Sequence, residues 1–281
     1  MVAPTAVLPG IGSKELVASL PRMLGLSAGD RVVIPRIAYP TYAVGAVLAG
    51  AEPVATDEPE TVEGAALVWL NSPGNPTGSV LSPERMAQIV AWARETGAIV
   101  VSDECYVELG WEAEPVSILH PDVCGDDHAR VLAVHSLSKR SNLAGYRFGF
   151  AAGDRSLVAD LLAVRKHSGM MVPSPVQAAA IAAWDDDEHV AVQREVYRRR
   201  RDVLREALTA TGFRVDHSEA GLYLWATRGE PCWETVAWFA DRGVLVTPGD
   251  FYGPAGAQHV RIALTGTDDR IDAVPGRLAT G

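Results

Sequence analysis

Residues 135–150 read HSLSKRSNLAGYRFGF. Lys139 sits beside Ser136 and Ser138, and Arg147 follows eight positions later. A lysine becomes a nucleophile when desolvation or cationic neighbours lower its pKa. Taken alone, Lys139 suits an ordinary surface loop. Two hydroxyls and a planar guanidinium beside it suit a phosphate dianion. A lysine next to a phosphate cup points to a phosphorylated aldehyde held as a Schiff base.

Other residues with chemical potential fall where apolar runs end. VVSDECY, residues 100–106, places Asp103 at the close of a very apolar run. A carboxylate buried there is costly unless a cation faces it. A helix N-cap, a metal ligand or a partner for a protonated pyridine nitrogen would each use it. Tyr106 is either a packed aromatic or a donor to a 3-oxygen on the same ring. NSPGNPTG, residues 71–78, follows the run ALVWL. Its two prolines and two glycines make a rigid, sharply turned loop that holds out Asn75. GIGSKE, residues 10–15, opens an amphipathic stretch over 16–24. A glycine before a helix start leaves backbone N–H groups for an anion. Tyr39, in AYPTY, can lie flat on an aromatic ring or belong to a turn. Arg261, in HVRIAL, needs a carboxylate, supplied by a substrate or by a salt bridge across the chain.

The elements that must position these residues alternate. Short β-branched runs at 31–34, 66–70, 98–102 and 131–135 are separated by amphipathic stretches such as 82–95, with Pro83 in its first turn and Gly97 at its stop. This predicts an α/β fold, a mostly parallel sheet covered by helices on both faces. In such sheets ligands gather where strands end. From Pro175 the pattern changes: helices are expected over 177–184 and 188–211, strands over 213–215, 222–226, 244–246 and 260–264, and a helix over 232–242. The expected division is a large domain over 1–180 and a smaller α+β domain over 181–281.

The 281 residues carry a formal net charge of −10, which argues against nucleic acid or an anionic membrane as the main partner. Hydrophobic residues make up 48% and charged residues 21%, as in a water-soluble globular protein. Cys105, Cys124 and Cys232 are far apart, without metal-ligand spacing, and fit free thiols in a reduced cytoplasm. No apolar run approaches the roughly 20 residues that span a bilayer. The opening MVAPTAVLPGIG lacks the form of a signal peptide.

In order and spacing, NSPGNPTG, SDECY, SLSKRSNLAGYRFG and HVRIAL resemble the fold-type I, class I/II pyridoxal-phosphate aminotransferases. The stretches LNSPGNPTG, SDECYVELGW, LAVRKHSGMMVP, GLYLWATRGEPC and PGDFYGPAGAQHVRIALT are similar to actinobacterial succinyldiaminopimelate aminotransferases of the lysine pathway. The resemblance implies a mostly parallel seven-stranded sheet and pyridoxal 5'-phosphate as cofactor. It also implies small amino-acid and 2-oxo-acid substrates and a homodimer with its active site near a two-fold interface. By resemblance, Lys139 holds the cofactor and shuttles a proton, Asp103 pairs with the pyridine nitrogen, and Asn75 and Tyr106 bind the 3-oxygen. Ser13, Lys14, Ser136, Ser138 and Arg147 hold the phosphate, Tyr39 stacks on the ring, and Arg261 clamps the substrate carboxylate, with Asn75 close to the substrate. Family members begin several tens of residues earlier. The chain is therefore expected to lack an N-terminal part of the small domain, a substrate-side loop and a tyrosine that reaches the partner's phosphate. A β-lyase of the same fold, or a cofactor-binding protein with little turnover, remains open at this level.

Overall fold

The computed structural model describes residues 2–279. Seven strands form the larger sheet: β1 (Val7–Gly10), β2 (Arg31–Ile34), β3 (Glu52–Ala55), β4 (Ala65–Asn71), β5 (Ile99–Asp103), β6 (Val131–Ser136) and β7 (Gly149–Gly153). Their order is β1-β7-β6-β5-β4-β2-β3. All neighbours pair in parallel except at β7, which runs opposite to both β6 and β1. The helices around it are α1 (Ser13–Met23), α2 (Thr41–Ala49), α3 (Pro83–Thr96), α4 (Pro121–Cys124), α5 (Leu137–Arg140), α6 (Arg155–Arg165) and α7 (Ser174–Trp184).

The continuous apolar runs have a simple cause: both faces of the sheet are covered. Side chains alternate along β4. Leu67 and Trp69 join Leu16, Val17 and Leu20 of α1 and Tyr42 of α2 on one side. Val68 and Leu70 meet Met86, Ile89 and Val90 of α3 on the other. Each such aliphatic side chain contributes about 1.5–3 kcal/mol on burial. Ser82 caps α3 by accepting from the Arg85 N–H at 3.2 Å, as its sequence position predicts.

A second sheet has four antiparallel strands, β8 (Arg214–Asp216), β9 (Tyr223–Thr227), β10 (Thr247–Pro248) and β11 (Val260–Ala263), in the order β10-β11-β9-β8. The long α8 (Glu188–Ala210), α9 (Cys232–Asp241), α10 (Asp268–Asp272) and α11 (Val274–Ala279) accompany it. Leu204 and Leu208 of α8 and Phe239 of α9 pack with Leu224, Val260 and Ile262. Cys105, Tyr106 and Leu109, just beyond β5, join this same cluster and tie the two sheets together.

The strand expected over 244–246 is not formed. After Gly243 the Val244 N–H returns to the Phe239 carbonyl, closing α9. Val246 is buried, but Leu245 is exposed, and the chain reaches β11 only at Thr247 and Pro248. Strands β1, β3 and β7 carry no clear alternating signal and emerge only with the sheet in place; α6 is capped by Asp154, which accepts from the Ser156 and Leu157 N–H groups at 2.7 and 3.3 Å, and α2 stops at Gly50, at φ +82°.

Candidate active site

The parallel strands end together, so their last residues share one edge. Asn71 pairs with Asp103 in register, and Asp103 with Val134 of the next strand. Beyond that edge lies a cavity of about 280 Å³, lined among others by Asn71, Asn75, Asp103, Tyr106, Ser138 and Lys139. Ser13, Lys14, Tyr39, Arg147 and Arg261 complete most of its wall, with Tyr42, Cys105, Ala144 and Tyr223. Of the residues singled out in the sequence, Ser136 alone does not line it. Ser136 is wholly buried, caps α5 by accepting from the Ser138 N–H at 3.1 Å, and lies 3.1 Å from the Phe148 carbonyl. Its hydroxyl thus sits behind α5, 2.9 Å from the Ser138 Oγ that does line the cavity.

Asp103 is 6% exposed. Its Oδ2 accepts from the Tyr42 hydroxyl at 2.8 Å and its Oδ1 from the Cys105 N–H at 3.2 Å. Burial holds the carboxyl above its ordinary value despite those hydrogen bonds. Among the described residues no cation pairs with it and no cluster of acids, histidines and cysteines could hold a metal. Tyr42 is fixed by stacking on Trp69, with ring centroids 5.0 Å apart, and by Tyr39 at 5.7 Å edge-on.

The loop after β4 is braced by Asn71. Its Nδ2 donates to the carbonyls of Pro73 and Asp103 at 3.1 and 3.0 Å, and its Oδ1 accepts from the Asn75 N–H at 2.8 Å. Asn75 then turns its own Oδ1 to Arg261 Nη1 at 3.0 Å, which leaves its amide N–H groups free to donate elsewhere. Arg261 makes no ion pair among the described residues; its other polar partner is the Thr247 hydroxyl. Its guanidinium lies over the rings of Tyr223 and Tyr252, at 4.0 and 5.2 Å. The alternative of a salt bridge across the chain is thus not realised. Tyr106 and Tyr223 meet through their hydroxyls at 3.3 Å, and burial, with Tyr223 next to it, pushes the Tyr106 phenol well above its ordinary value.

Opposite this end, α1 aims its first turn at the cavity. Glu15 receives both terminal nitrogens of the buried Arg165 at 2.7 and 2.8 Å and the Ile11 N–H at 3.2 Å, which fastens the helix start. Gly149 lets it come close: a Cβ there would lie 2.8 Å from the Ser13 nitrogen. Gly12, at φ +79°, leaves room for Arg147, whose Nη2 lies 2.3 Å from where a Cβ would stand. Ser13, Lys14, Ser138 and Arg147 thereby bring two hydroxyls and two cations to the wall of one cavity.

Two adjacent cations on α5 have opposite fates. Arg140 is buried, donating to the Glu108 carboxylate at 2.9 Å and pairing with Asp187 and the Ala183 carbonyl. Lys139 has no carboxylate partner among the described residues and faces the cavity.

Tyr42, Asn71 and Tyr223 were not singled out in the sequence, and Cys105 was read there only as a free thiol. The spacing of Tyr39 and Tyr42 was a usable signal for one of them. The others depend on chain segments that meet only in three dimensions.

The family model for aminotransferase class I and II matches residues 2–278. The chain is 62% identical over 275 residues to the probable aminotransferase Rv1178 of Mycobacterium tuberculosis, covering 97% of this chain and 66% of that protein. It is 59% identical to the 4-dedimethylamino-4-oxo-anhydrotetracycline transaminase OxyQ of Streptomyces rimosus, covering 99% and 78%. Among solved structures, N-succinyldiaminopimelate aminotransferase from Mycobacterium tuberculosis superposes with a TM-score of 0.89 at 27% identity, over 99% of this chain and 78% of that one. The chain belongs to the class I and II aminotransferases, a fold-type I family whose members use pyridoxal phosphate.

Proposed function

We propose that this chain transfers an amino group between N-succinyl-LL-diaminopimelate and 2-oxoglutarate, with glutamate as the returning donor, in lysine synthesis in the cytoplasm. The observation that carries its aminotransferase chemistry is one cavity holding an unpaired lysine and, at one end, a buried carboxylate without a counter-cation. The residues fit the cofactor. A protonated pyridine nitrogen is the cation that Asp103 lacks, and the cup of Ser13, Lys14, Ser138 and Arg147 matches a phosphate dianion. When bound, pyridoxal phosphate supplies a carbonyl to capture the amine and a ring that accepts electrons from the α-carbon.

The chain's own residues then have defined work. Asp103, held by Tyr42 and the Cys105 N–H, keeps the ring nitrogen protonated. Asn75 and Tyr106 would donate to the ring 3-oxygen, and Tyr39 would cover the ring. Lys139 would be the amine that holds the cofactor carbonyl and, once freed, the base that takes the proton at the substrate α-carbon. Arg261 takes the α-carboxylate as a two-pronged donor. Arg261→Met is expected to raise KM for an amino acid about 10–100-fold, the loss of one charge-assisted hydrogen-bonding group, with a smaller change in kcat. An equal fall in kcat with unchanged KM would remove Arg261 from substrate binding.

The proposed division is a cofactor-binding domain over 1–180 and a small domain over 181–281, in a homodimer. Large apolar side chains exposed on α2 (Val44, Val47, Leu48), α6 (Leu162) and α7 (Ile181) support a partner surface.

The succinyldiaminopimelate reading draws on the solved relative of that name. A second reading has support of its own: the 59% identity to a transaminase named for an oxo-anhydrotetracycline favours a bulky cyclic ketone as acceptor. Loading the enzyme with the amino group from glutamate and offering each acceptor separately tests both. Regeneration of the starting spectrum by the succinylated 2-oxo acid supports the first reading; regeneration only by the polycyclic ketone overturns it.

A further inference from the structure

We propose that Cys105 is a positioning residue that aims the Ser13 hydroxyl at the cofactor phosphate while its backbone fixes Asp103 at the other end of the site. This rests on the phosphate-cup reading above. Cys105 lies two residues beyond the end of β5 and lines the cavity, 8% exposed. Its N–H donates to Asp103 Oδ1 at 3.2 Å. Its thiol donates to Ser13 Oγ at 3.2 Å, across 92 residues of sequence. One residue thus touches both ends of the site.

The consequence follows from hydroxyl chemistry. Ser13 Oγ has one proton and two lone pairs. With the thiol S–H occupying a lone pair, the serine proton is left to point away from Cys105, into the cup. A serine without that partner rotates among staggered positions and faces an anion only part of the time. The donor role is durable near neutral pH, because burial and then the neighbouring Asp103 push the Cys105 thiol well above its ordinary value.

Independent geometry marks the spot as an anion seat. Ser13 opens the eleven-residue α1, whose first N–H groups have no intrahelical partner. The Arg147 guanidinium closes over Gly12 from the other side. The second cup hydroxyl, Ser138, has the same kind of support, with the buried Ser136 Oγ 2.9 Å behind it. Both hydroxyls are held from the rear, so neither has to be ordered when the phosphate arrives.

The test is binding to the full-length chain freed of cofactor, using pyridoxal phosphate and pyridoxal, which lacks the phosphate. Cys105→Ala is expected to weaken pyridoxal phosphate about 3–10-fold, the worth of one hydrogen bond, and to leave pyridoxal within about two-fold. Cys105→Ser, which restores a donor, is expected to return pyridoxal phosphate to within about two-fold of the original. In a Ser13→Ala background, Cys105→Ala should cost nothing further, because the two act through one hydroxyl. Equal weakening of both ligands by Cys105→Ala would make the residue simple packing and overturn the proposal. So would additive losses in the double variant. The underlying reading is tested separately. If Ser13→Ala leaves the ratio of the two affinities unchanged, the phosphate cup is misplaced and both claims fall. If Ser13→Ala shifts that ratio and Cys105→Ala does not, only the role of Cys105 falls.

Discussion

Lys139→Ala is expected to lower transamination by about 10²–10⁴-fold, the usual contribution of a positioned acid–base group. It is also expected to abolish fixation of the cofactor to the chain by borohydride. Both expectations come from the contrast on α5. The Arg140 charge is spent on Glu108 and Asp187 behind the site, whereas Lys139 extends into the cavity without a carboxylate partner. The cofactor should still bind non-covalently in the variant, because the phosphate cup and Asp103 are untouched. Affinity for pyridoxal phosphate is therefore expected to fall far less than activity. Peptide mapping after borohydride treatment of the unmodified chain would locate the attachment. Label on any lysine other than 139, or activity within a few-fold in the variant, would move the chemistry elsewhere.

Glu104→Gln should change how stability depends on pH. Glu104 neighbours Asp103 but points away from the cavity, accepting from the Ile118 N–H at 2.7 Å. Burial pushes its carboxyl from 4.5 up to about 7. A raised carboxyl binds its proton more tightly in the folded chain than in the unfolded one. Its stabilising contribution is thus complete below about pH 4.5 and is lost as pH rises through 7. The loss is on the order of 3 kcal/mol at 1.36 kcal/mol per unit. Buried His135 acts with the opposite slope. Burial, and then the charge of Arg140, lower it from 6.5 to about 4. The unfolded chain then takes up protons first, so stability is lost as pH falls from 6.5 toward 4. Between about pH 4.5 and 6.5 the two slopes offset. Chemical denaturation at a series of pH values should give a difference, original chain minus variant, that is flat at low pH and falls by about 3 kcal/mol toward pH 8. The variant itself should lose stability more steeply on the acid side. A difference independent of pH would show that Glu104 titrates alike in both states.

Much of this protein was legible in one dimension, for identifiable reasons. The central strands β4, β5 and β6 are buried on both faces, so they read as unbroken apolar runs; α3 announces itself by Ser82, Pro83 and Gly97. Strands β1, β3 and β7 are short and lie toward the sheet's two margins, and their sequences, VLPG, EPVA and GFAAG, contain prolines, glycines or alanines that give no strand pattern. They pair because the sheet is already there. The misplaced strand over 244–246 is the reverse case: its side chains have β propensity, yet the turn at Gly243 delays contact with β11 until Thr247.

For the site, residue type and spacing marked the candidates, and their expected roles came from the family resemblance: a lysine with hydroxyls and an arginine nearby, an acid ending an apolar strand, a rigid loop presenting an amide. These signals are local, because each lies within a few residues at the end of a strand or the start of a helix. Tertiary structure decided how those groups are used. It sent Ser136 behind the cavity, left Arg261 without an acid, consumed the charge of Arg140 but not that of Lys139, and brought Cys105 against Ser13. Such choices turn on which distant segments meet and what each polar atom finds there, and burial and hydrogen-bond satisfaction exist only once the chain has closed on itself.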